Sequence, residues 1–208
     1  AMELATTASN NTAIGTDALK RATTGSYNVG LGRTSGAYIT TGGNNICIGY
    51  AAGYSTTTQS ANTYIGDYAG YYSQGTSNVA IGYQALAGDS ATANQYNVAV
   101  GTHAGEDVSS GNDNVLIGWG AAASVTTGSN LIVIGKSANP SSNTGSNEIT
   151  LGNNSISTLR CNTQTISSLS DGRDKTEVED LPLGLDFIDT LRPVKFKWET
   201  RDGNSKDG

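Results

Sequence analysis

A glycine returns about every seventeen residues along most of this chain. It stands at Gly15, Gly32, Gly49, Gly66, Gly82, Gly101, Gly118, Gly135 and Gly152, with one spacing of sixteen and one of nineteen. The residue before each is aliphatic, from Ile14 to Leu151, and the residue two positions earlier is β-branched, from Thr12 to Ile149. Three positions after each glycine stands Ala or Ser, from Ala18 to Ser155. A unit this short cannot bury an apolar face alone, but copies stacked on one another can. The pattern predicts an all-β fold, a β-solenoid or β-roll rod of nine repeats over residues 1–155.

Composition divides the 208 residues unevenly. Positions 1–170 carry 13 charged side chains and positions 171–208 carry 17, while all ten tyrosines precede residue 97. Richness in Gly, Ser, Thr, Asn and Ala would by itself read as low complexity. Disorder has no reason to hold β-branched residues in phase, so the register argues for a folded repeat. A net charge of −6 without a basic run leaves no electrostatic footprint for nucleic acid. No apolar run approaches the roughly 18 residues of a membrane span, so no membrane insertion is expected. Cys47 and Cys161 lie seven repeats apart, too far to bridge in a stacked array, and are expected as free thiols.

Within the repeat from Gly75 to Ala85, Val79 and Ile81 share one side of a strand because side chains alternate. Gly82 permits a bend or close backbone approach, and Ala85 starts a second segment where only a small side chain fits. A further glycine seven residues before the marker (Gly25, Gly42, Gly75, Gly111, Gly128, Gly145) predicts a turn with positive φ. Asn four residues before it (Asn11, Asn28, Asn45, Asn62, Asn78, Asn97, Asn114) predicts left-handed turns and a stacked Asn ladder.

The position between the two apolar ones reads Ala13, Gly30, Cys47, Tyr64, Ala80, Ala99, Leu116, Val133, Thr150. None is charged, and a strand apolar on both faces is buried on both. One face fills the coil; the other needs a partner, for which a parallel homotrimer is the economical answer. Nine rungs about 4.8 Å apart give a rod on the order of 40 Å. The recurring Asn-Val-Ala-Ile-Gly and Ala-Gly elements resemble the head repeats of trimeric autotransporter adhesins and related repeats of phage tail fibres, families whose coils trimerise and stack.

Residues 156–170 leave the register and predict a β stalk, followed by a distinct segment at 171–208. There Asp180 can cap a helix with Pro182 in its first turn and Leu185, Phe187, Ile188 and Leu191 as its apolar residues. Pro193 ends it, and Val194, Phe196 and Trp198 alternate with Lys195, Lys197 and Glu199 as in a half-buried strand. From Ser170 to Trp198 the sequence resembles the start of the intramolecular chaperone of phage tail fibres, tailspikes and endosialidases, the S74 peptidase family. The resemblance implies a small α+β trimerising chaperone that continues past Gly208 and cuts itself off. It also implies a scissile bond between Ser170 and Asp171, with Ser170 and Lys175 as the catalytic pair and Arg173 between them. A lysine of depressed pKa can activate a hydroxyl, so the pairing is chemically sensible.

Other signals point less far. His103 is the only histidine, so no triad or histidine metal site forms within one chain. The rod's acidic residues are scattered, with only Glu106 and Asp107 adjacent, which argues against a glycosidase, and no calcium or phosphate loop appears. No cofactor or metal is expected, and no external substrate. Tyr50, Tyr54, Tyr68, Tyr71, Tyr72 and Tyr83 cluster in three consecutive rungs, predicting outer ladders. Among them Tyr50, Tyr68 and Tyr83 are the candidate receptor-binding residues. The reading that results is a structural, receptor-binding distal part of a phage tail fibre, located in the virion and assembled in the host cytoplasm. Its partners would be its own copies, other fibre segments and a host cell-surface receptor of glycan type. A bacterial trimeric surface adhesin is the alternative, with a polysaccharide depolymerase behind it.

Overall fold

The computed structural model describes residues 1–88 and 93–160 and two short strands at 198–199 and 205–206. The chain divides into two units, Ala1–Leu159 and Arg160–Gly208. The first is a β-solenoid, with one short strand per repeat. These are β1 (Thr12–Ile14), β2 (Val29–Leu31), β3 (Ile46–Ile48), β4 (Thr63–Ile65), β5 (Val79–Ile81), β6 (Val98–Val100), β7 (Val115–Ile117), β8 (Leu131–Ile134) and β9 (Glu148–Leu151). They form a single parallel sheet in chain order. Equivalent positions face each other throughout, for example Val79 opposite Val98 and Ile81 opposite Val100. In the second unit β10 (Trp198–Glu199) pairs antiparallel with β11 (Ser205–Lys206), so the described end of the expected 194–199 strand is a strand. The expected helix over residues 180–191 lies outside the described residues. Of the expected β stalk, residues 156–160 carry no strand, and residues 161–170 lie outside the described residues.

The strands present opposite faces to very different surroundings. Cys47, Tyr64, Ala80, Ala99, Leu116 and Val133, all from the middle column, are fully buried inside the coil. The flanking β-branched and aliphatic columns point outward, leaving Leu31, Ile46, Ile81, Ile117, Ile132 and Ile134 among the exposed large apolar residues.

Across the interior, volume is matched residue by residue. Tyr64 is the largest buried side chain, and a Cβ on Gly53 would lie 2.9 Å from its ring, while one on Gly70 would overlap it. A Cβ on Gly30 would lie 2.7 Å from Leu19 Cγ, and one on Gly105 2.6 Å from Leu116 Cδ1. Large residues in one column thus face glycine in the other, which keeps the interior close-packed despite an irregular sequence. Burial leaves Cys47 a free thiol with its pKa pushed up to about 12, so it stays protonated and unreactive.

Backbone geometry corrects two expectations. None of the glycines seven residues before the marker has positive φ. They are required by close approach instead: a Cβ on Gly128 would lie 2.5 Å from the Gly145 carbonyl oxygen one coil away. The left-handed residue of that turn is the next-but-one, five before the marker, occupied by Asn10, Tyr27, Asn44, Ala61, Ser77, Tyr96, Asp113, Asn130 and Asn147. The conserved spacing of Asn at the following position therefore has another cause, the ladder. Asn28, Asn45, Asn62, Asn78, Asn97 and Asn114 are buried. Each Asn Oδ1 from Asn11 to Asn97 accepts the next ladder residue's backbone N–H, as Asn62 Oδ1 does from Asn78 N at 2.9 Å. Each Nδ2 donates to a carbonyl of the adjoining turn, as Asn62 Nδ2 does to Gly75 O at 3.0 Å. Buried amides are thus satisfied along the whole stack.

Ala85 and Ala104 are fully buried, as the invariably small residue at that position predicts. Changing either to Leu is expected to overpack the coil and lower stability by about 1–3 kcal/mol, read as a shifted denaturation midpoint. An unchanged midpoint would contradict the close packing of that column.

Candidate functional site

Because each coil repeats the last, residues at one offset from the marker glycine form rows along the solenoid. Tyr50 and Tyr83 directly follow a marker, and Tyr68 follows one by two. The structure brings these three together: Tyr50 and Tyr68 meet edge to face at 5.1 Å, and Tyr68 and Tyr83 at 6.2 Å. The row continues to His103, 5.4 Å from Tyr83. A second row runs from Tyr38 to Tyr54 (4.8 Å) and on to Tyr71 (5.0 Å, rings parallel within 1°). The two rows join where Tyr68 meets Tyr71 at 5.5 Å, and Tyr72 stands perpendicular to Tyr71 at 4.4 Å. Such contacts add modestly to area burial, so the ladders stiffen the outer surface.

The protein seats its own cations on these rings toward the ends. The Arg21 guanidinium lies 4.1 Å from the Tyr38 ring centre, Arg33 5.7 Å from Tyr50, and Lys136 5.7 Å from Trp119. The Tyr54 phenol is pushed up to about 12, first by its hydrogen bond with Tyr38 and then by burial. Tyr68 is raised chiefly by its bond with Tyr50, and Tyr71 chiefly by burial. All three therefore remain neutral phenols at physiological pH.

In the middle of the ladders the surface opens. Positions five and six after the marker read Tyr71-Tyr72 in one coil, Ala87-Gly88 in the next and Glu106-Asp107 in the one after. Backbone bonds hold these three in register, from Tyr72 N to Ala87 O (2.7 Å) and from Gly88 N to Glu106 O (2.8 Å). The small middle pair leaves a cavity of about 330 Å³ with tyrosines on one side and carboxylates on the other, flanked by Tyr68 and Gln84. Glu106 is steered by His103, whose Nδ1 lies 2.8 Å from its Oε2. His103 is half-buried beside this carboxylate. The sequence singled out Glu106 and Asp107 only as the adjacent acidic pair; their shared offset with Tyr71-Tyr72 is the signal that places the two pairs across one cavity.

The sequence-predicted catalytic and cleavage residues, Ser170, Asp171 and Lys175, lie outside the described residues. Among the described residues no helix is long and apolar enough to cross a membrane. Residues 170–208 match the Peptidase S74 family, described as the chaperone of endosialidase. No curated protein matches the chain, and no solved structure does.

Proposed function

We propose that this chain is part of a homotrimeric tail fibre or spike, assembled and matured by the chaperone that begins at residue 170. The observation that carries this reading is the outward face of the nine strands. It is an uninterrupted apolar stripe, with Ile14, Leu31, Ile81, Ile117, Ile134 and Leu151 all exposed in a single chain. A contiguous apolar surface of this length marks an interaction site. A chaperone match directly following a repetitive rod supports its being covered by two more copies. The setting is a phage virion, and the rod's outer surface, with Tyr50, Tyr68 and Tyr83, meets a host receptor of glycan type.

The same reading assigns Ser170 and Lys175 to self-cleavage between Ser170 and Asp171. Ser170 attacking its own carbonyl would close a four-membered ring, so the attacking group is a hydroxyl from another protomer or an activated water. Lys175 takes the proton. Cleavage follows assembly, since only an ordered trimer holds nucleophile, base and peptide bond in attacking geometry. In a chain carrying the whole chaperone, intact-mass spectrometry is expected to find a rod ending at Ser170. Ser170→Ala and Lys175→Ala are each expected to leave a trimer that is uncut. Normal cleavage in either variant would remove that residue from the mechanism.

A further inference from the structure

We infer that the cavity between Tyr71-Tyr72 and Glu106-Asp107 is an aromatic cage for an organic ammonium group carried on the receptor. The inference rests on the receptor-binding reading for its biological setting, but its chemistry is local. Three tyrosines, Tyr68, Tyr71 and Tyr72, line the cavity. Tyr71 and Tyr72 form a right-angled corner, with Tyr68 tilted against Tyr71 by 57°. Ring faces set at angles around one space attract a cation through their quadrupoles, the arrangement that recognises quaternary ammonium groups.

Opposite the rings stands Glu106, with Asp107 beside it, and among the described residues no lysine or arginine lines the space. Charge therefore selects the ligand: a cation is drawn in, while a carboxylated, sulfated or phosphorylated sugar is repelled. Elsewhere on the ladders the protein supplies its own cations, Arg21 over Tyr38, Arg33 over Tyr50 and Lys136 over Trp119. Among the described residues none is seated over Tyr68, Tyr71 or Tyr72. The ladder thus already uses ring–cation contact as its device, and the hollow at Tyr68, Tyr71 and Tyr72 is left for a cation from outside. A cavity of about 330 Å³ accommodates a trimethylammonium head with part of its carrier.

Access survives assembly. None of the lining residues belongs to a strand, so the cage lies off the apolar strand face. Its backbone is fixed by bonds between coils, which leaves little to be ordered on binding.

The test titrates the whole chain with choline and with 3,3-dimethylbutan-1-ol, its uncharged isostere, read by saturation-transfer NMR of the methyl protons. Saturable binding of choline, with the isostere at least about tenfold weaker, is expected. Tyr72→Leu and Glu106→Gln are each expected to weaken choline about tenfold. Tyr72→Phe keeps the ring face and is expected to bind nearly as wild type, as is Trp119→Ala outside the cage. Circular dichroism confirms that each variant is folded. No saturable choline signal from the folded chain, or equal binding of the isostere, overturns the cage. Adsorption to host cells separates the two readings. If choline binds as described while Tyr72→Leu adsorbs normally, the cage stands and the receptor role falls. If Tyr50, Tyr68 and Tyr83 changed to Ser abolish adsorption but choline never binds, the receptor role stands and the cage falls.

Discussion

Changing Ile81 and Ile117 together to Lys is expected to turn the proposed trimer into folded monomers. Both side chains point away from the coil, 38% and 37% exposed in a single chain, so a lysine there can carry its charge into solvent and an isolated protomer loses far less than at an inward position. In the trimer each would face its copies across the axis, where six ammonium groups would be brought into an apolar seam without partners. Burying unpaired like charges costs several kcal/mol per site, more than a seam of short strands can offset. Light scattering should report a threefold lower mass with the far-ultraviolet spectrum unchanged. The inward neighbour is the control: Ala80→Lys places the same charge at a fully buried position and should unfold the coil itself. A trimer that persists at micromolar concentration with both outward lysines would move the interface off the strand face.

Gly82→Ala is expected to lower stability by about 3–5 kcal/mol, near the upper end for single substitutions. Two effects coincide at this position. The backbone sits at φ +133, a region that is essentially glycine-only. A Cβ there would also lie 2.6 Å from the Gly101 carbonyl carbon and 2.7 Å from its oxygen, so neighbouring coils would have to separate. Gly88→Ala isolates the first effect in milder form, since its φ is +68 and its nearest atoms lie 3.7 Å away. That change should cost only about 1–2 kcal/mol. Equal denaturation midpoints for the two variants would show that contact between coils is not what the marker glycines protect.

The recurrence of the marker was enough to read the fold, because a stacked parallel sheet gives every coil the same backbone problem at the same place. Side-chain direction was harder. The outward columns vary little, being Val, Ile or Leu except at Thr12 and Thr63, since each meets the same environment. The inward column swings from Gly30 to Tyr64 because its extremes are compensated across the coil, by Leu19 beside Gly30 and by Gly53 and Gly70 beside Tyr64. Variability with compensation is the mark of an interior here, and it becomes visible only when the facing column is known. The turn glycines misled for a related reason: sequence does not distinguish a glycine needed for its φ from one needed for its missing side chain. Gly111 and Gly128 are of the second kind. Tyr50, Tyr68 and Tyr83 could be grouped from their offsets, whereas the cavity beside them depends on two small residues, Ala87 and Gly88, that carry no chemical signal of their own.

The in-register stacking of the strands also fixes how the solenoid bears load. Its inter-coil hydrogen bonds run along its axis, so a pull on its two ends acts on them in series, one layer at a time, without a shear plane to share the force. Each layer that peels releases about seventeen residues, roughly 55 Å of extended chain. Tension would therefore be relieved in nearly equal steps, starting from an end coil, which has a neighbour on one side only. Strands of only three or four residues would make each step a soft one, and a fibre built this way would lengthen before it broke.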